Sequence, residues 1–160
     1  MKKTLFIAAL TLSAAALPAV AYADDEFNVA PGLTAVGAPL GLHGVDPVAF
    51  LTIGNRVEGR AEYTAVHEGV AYYFSTESNL KTFKRNPDEY TPQYGGFCAF
   101  GVSVAKKFDG DPQFAAVMNG KLYVFLNEEI FKMYQKDKAG TIAKAESNWK
   151  NIRTTAATKL

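Results

Sequence analysis

Cys98 is the only thiol in 160 residues, and His43 and His67 are the only imidazoles. A thiol does chemistry as thiolate, which needs a cation, a helix N-terminus or a metal beside it. The sequence neighbours of Cys98 in Tyr94-Gly95-Gly96-Phe97-Cys98-Ala99-Phe100-Gly101 are apolar and aromatic, an environment that keeps a thiol protonated. Three roles stay open: a small buried hydrophobe, a soft metal ligand, or a nucleophile or redox thiol. His43, in Leu42-His43-Gly44-Val45-Asp46-Pro47, sits in a turn-like segment whose side chain can face a cleft. Paired, Cys98 and His43 suit copper or zinc, or a thiolate activated by an imidazole base. Asp46 is the third candidate ligand, although an Asp before Pro commonly organises a turn instead. His67 is expected in a solvated hairpin turn, and Lys106-Lys107 as a solvated basic pair. Asp109-Gly110-Asp111-Pro112 lacks the spaced oxygens and closing Glu of a calcium loop and reads as a turn. No phosphate loop, dinucleotide fingerprint or Gly-x-Ser-x-Gly is present.

The rest of the chain limits what such residues can serve. With 17 Lys+Arg against 16 Asp+Glu there is no electrostatic footprint for nucleic acid. One cysteine excludes an intramolecular disulfide and zinc fingers built on paired cysteines. Met1-Lys2-Lys3, the apolar run 5–17, Pro18 and Ala21-Tyr22-Ala23 follow the order of a secretory signal peptide, cleaved after Ala23. Export in the bacterial style places the mature chain in the periplasm, with no later stretch long enough to span a membrane. There a lone thiol is buried, paired with another chain, metal-bound or chemically used.

The elements that must position these groups follow from local pattern. Residues 24–40 read as an N-terminal arm and 41–153 as one domain, with a frayed polar tail at 154–160. Residues 45–53 form a short buried segment. Runs 61–66 and 70–74 around His67-Glu68-Gly69 predict a hairpin, as do 114–118 and 121–126 around Asn119-Gly120. Ser75 or Thr76 caps a helix to about Arg85, and Asn127 caps another that Gly140 ends. A last helix runs from Thr141 to about Ile152. The glycine-aromatic loop at 94–101 shows no helical or strand period. The order predicts an α+β fold, a small antiparallel sheet from two hairpins packed with three to four helices. No repeat of fixed period stands out, although the two hairpin-plus-helix units look alike in plan.

Gly44-Val45-Asp46-Pro47-Val48-Ala49-Phe50, Tyr72-Tyr73-Phe74-Ser75, Asn86-Pro87-Asp88-Glu89-Tyr90 and Tyr94-Gly95-Gly96-Phe97-Cys98-Ala99 together resemble the YHS domain family, in particular its exported bacterial branch. The likeness spans roughly residues 40–152. It implies kinship with TRASH-type metal-binding modules, some of which accompany copper transporters. The metal-associated versions carry cysteines where this chain has Ala49, Ser75 and Asn79, so a metal site here would be a new one. The resulting expectation is an exported, non-enzymatic binding protein, with copper or zinc held by Cys98, His43 and Asp46 as its most concrete form. The alternatives are an interaction module of an envelope protein complex without metal, and a thiol-based redox protein using Cys98.

Overall fold

A computed structural model describes residues 26–160; the signal peptide expected from the sequence lies outside the described residues. Helix α1 (Pro47–Ile53) starts where Pro47 presets the helical φ and Asp46 caps it, and Gly54 in the left-handed region ends it. The first hairpin pairs β1 (Arg60–His67) with β2 (Val70–Phe74), antiparallel. Thr76 then caps α2 (Glu77–Arg85) through the Asn79 amide, and Pro87 opens the single turn α3 (Pro87–Tyr90). After a 3-10 turn, Cys98 caps α4 (Ala99–Ser103). The second hairpin pairs β3 (Asp111–Met118) with β4 (Lys121–Phe125). Asn127 caps α5 (Glu128–Lys136), and Asp137 caps α6 (Lys138–Ile152). The fold is α+β, but the hairpins form two separate two-stranded sheets instead of one.

Two local expectations change for physical reasons. Gly140 does not stop a helix: its N–H bonds the Asp137 carboxylate at 2.9 Å, so it lies in the first turn of α6. The glycine-aromatic loop folds into a 3-10 turn and a short helix. Three successive left-handed residues, Tyr94, Gly95 and Gly96, reverse the chain and aim it into α4.

The two halves are the same plan built twice. β1, β2 and α2 span 60–67, 70–74 and 77–85; β3, β4 and α5 span 111–118, 121–125 and 128–136, each 51 positions on. The register repeats: Thr64 faces Tyr73 and Ala115 faces Val124, with the same irregularity before each pair. Upstream the offset is 52. The left-handed trio Leu42-His43-Gly44 matches Tyr94-Gly95-Gly96, and the cap Asp46 matches the cap Cys98. Asp46 N–H bonds Val57 O at 2.9 Å, and Cys98 N–H bonds Phe108 O at 3.0 Å.

Each half has its own core. Tyr72, Phe74 and Phe83 centre the first, and Phe125, Tyr134 and Val102 the second. A seam of Leu42, Val45 and Phe50 against Leu122 and Val124 joins them. The arm is draped: Leu40 bridges Ala71 on β2, and Asn28 N–H reaches Gly95 O at 2.8 Å. The tail is tied as well, because Leu160 packs on the second core.

Candidate functional site

Asp46 is fully buried, and its carboxylate is saturated. Oδ1 accepts the Ala49 N–H at 3.0 Å. Oδ2 accepts the Ser75 N–H, the Ser75 hydroxyl and the Asn79 side-chain amide, each at 2.7 Å. Four donors hold the charge where solvent is absent, which a buried carboxylate requires. Asp46 therefore binds α1 to the β2–α2 junction, and the turn-organising reading describes it.

Cys98 holds the equivalent position in the second half. Its sulfur accepts the Gly101 N–H at 3.4 Å, as Asp46 accepts that of Ala49. The amides of Leu126 and Phe100 also face it. Leu126 stands where the first half has Ser75, and Ile130 where it has Asn79, so the second pocket is apolar. Cys98 is fully buried, and burial pushes its thiol up against the lowering effect of those amides, with Asp109 adding to the rise. A thiol with a raised pKa is a poor nucleophile and a poor ligand at neutral pH.

The histidines lie elsewhere. His43 Nε2 is 3.0 Å from Asp109 Oδ1, which also accepts from the Asn28 amide at 2.7 Å. Burial would raise the Asp109 carboxyl, but the hydrogen bonds from Asn28 and His43 and the His43 charge hold it below its usual range. His67 is not a solvated turn residue. It ends β1, pairs with Asp88 at 2.8 Å, and meets the Phe83 ring edge-on. Lys107 is likewise not solvated. Its ammonium donates to Arg153 O (2.7 Å) and Thr155 O (2.8 Å), between the faces of Phe97 and Trp149. It caps the C-terminal end of α6, a role that a Lys-Lys dipeptide does not signal.

Cys98, His43 and Asp46 do not come together as one donor set. Among the described residues no three His, Cys, Asp or Glu side chains are grouped to hold a metal ion. Ala49, Ser75 and Asn79, the places of the absent cysteines, do converge on Asp46, but their polar groups are spent on its carboxylate. That donor set does not fit a soft metal. Asp109 touches His43, and its charge is also felt at Cys98.

A different site lies between α4, α5 and α6, a groove of about 320 Å³. Phe100, Val104 and Met133 form its apolar floor, with Val104 and Met133 half exposed. Lys136 and Lys144 stand at its rim. Sequence reasoning missed it because its residues are scattered over three elements.

No family model matches the chain, and no match emerges among curated proteins or solved structures.

Proposed function

We propose that this chain is an exported, non-enzymatic binding module of the YHS type that engages its ligand at its surface and not through a thiolate-held metal. The observation that carries this reading is the paired fate of Asp46 and Cys98. Both are buried helix caps in equivalent places, one saturated by four donors and the other protonated in an apolar pocket. Neither has lone pairs or accessibility to spare for chemistry. The imidazoles are each engaged by an aspartate on the periphery, so among the described residues neither stands as a base against the Cys98 thiol. The export signal and the YHS-like motifs give the compartment and the family of this proposal.

Purified without chelator and assayed for copper and zinc, the protein is expected to carry well under one equivalent. In a Cu(I) competition titration, native chain and Cys98→Ser should be indistinguishable. One tightly held equivalent that disappears in Cys98→Ser would overturn the reading in favour of a metal carrier.

A further inference from the structure

We infer that the groove between α4, α5 and α6 is a binding site for a small organic carboxylate with an apolar tail. The inference rests on the binding-module reading and names its ligand class. The volume, about 320 Å³, is at the small end of ligand sites. Phe100, Val104 and Met133 give a floor that favours an aliphatic or aromatic body.

The rim supplies the charge complement. Lys136 and Lys144 have no carboxylate within ion-pair distance among the described residues, whereas Lys132 and Lys81 on the same kinds of surface are paired with Glu128 and Glu77. The one acid in the groove, Asp137, is engaged as the cap of α6 through the Gly140 N–H. The groove is therefore net positive over an apolar floor.

Thr141 is the second, independent observation. It lines the groove and is 5% exposed. Its hydroxyl makes no hydrogen bond within the described residues, while the other groove hydroxyl, Ser103, donates to Phe100 O at 2.7 Å. No buried side-chain oxygen among the described residues is left without a partner, so this hydroxyl opens to the solvent of the groove it lines, where it can donate to a carboxylate oxygen held by the two lysines. In the first half the matching position is Tyr90, whose ring packs on the core. The second half has threonine there.

The test is methyl NMR of the purified chain titrated with octanoate, and in parallel with octylammonium, which has the same tail and the opposite charge. Octanoate is expected to give saturable shifts at Val104 and Met133, with octylammonium at least tenfold weaker. The exposed pair Lys136→Glu/Lys144→Glu should weaken octanoate at least tenfold, and Thr141→Val severalfold. Equal binding of both amphiphiles, unchanged affinity in the charge-reversed pair, or no shift at those methyls would overturn the site. The Cu(I) titration is independent of these results, so failure of the groove and failure of the metal-free reading are told apart.

Discussion

At the scale of single residues, the two helix caps explain why a chain with so little catalytic material keeps an aspartate and a cysteine in its interior. Asp46→Ala strands the Ser75 and Asn79 donors, and unsatisfied buried donors cost about 1–3 kcal/mol each before relaxation. A loss of about 3 kcal/mol or more is expected in urea unfolding, with Asp46→Asn nearly as damaging because its amide points a donor at donors. Cys98 gives a pH prediction. Its thiol is raised in the folded state, so its contribution is complete below the ordinary thiol pKa of about 8.5 and is lost as pH rises through the folded value. The stability difference between native chain and Cys98→Ala should thus shrink between pH 7 and pH 10, measured from unfolding midpoints. Asp46 was legible as a turn organiser from Asp-Pro alone. The burial of Cys98 was only one of three readings, because the Leu126 and Ile130 that line its pocket are far away in sequence.

At the scale of elements, the hairpins and capped helices were legible because their signals are local: Asn119-Gly120, Gly69, Thr76 and Asn127 are read within a few residues. The likeness of the two hairpin-plus-helix units in plan was legible too, but their fixed spacing was not, since the halves share shape more than composition. A 51-position comparison does line up Tyr72 with Tyr123, Phe74 with Phe125, Glu77 with Glu128 and Lys81 with Lys132. It also aligns Gly59 with Gly110. A Cβ on Gly59 would collide with the Tyr73 backbone, and one on Gly110 with the Gly96 carbonyl and the Val124 side chain. Both glycines let the chain pass tightly against the second strand of the hairpin. Gly59→Ala and Gly110→Ala should each destabilise by more than about 2 kcal/mol. Gly120→Ala, which meets open space and only the strain of its positive φ, should cost about 1 kcal/mol. Comparing thermal melts of the three variants checks this ranking.

At the scale of the whole molecule, long-range tethers finish the fold. Asn28, His43 and Asp109 fasten the arm beside the glycine turn, and Lys107 fastens the tail. Such contacts join residues more than 40 positions apart, so no sequence window exposes them. Because Asp109 is held below its usual range, its contribution is present above the unfolded value of about 4 and lost as pH falls through the folded one. The protection factor of the Asn28 amide, which donates to Gly95 O, should fall on acidification below about pH 4, and Asp109→Asn should flatten that dependence. The central claim is that the lone thiol is a structural cap withheld from chemistry. The most direct measurement is the native-state labelling rate of Cys98 by a thiol reagent across a urea series. The account predicts labelling only through opening, with a free energy that falls with urea in parallel with unfolding. Fast labelling in native buffer, independent of urea, would contradict it.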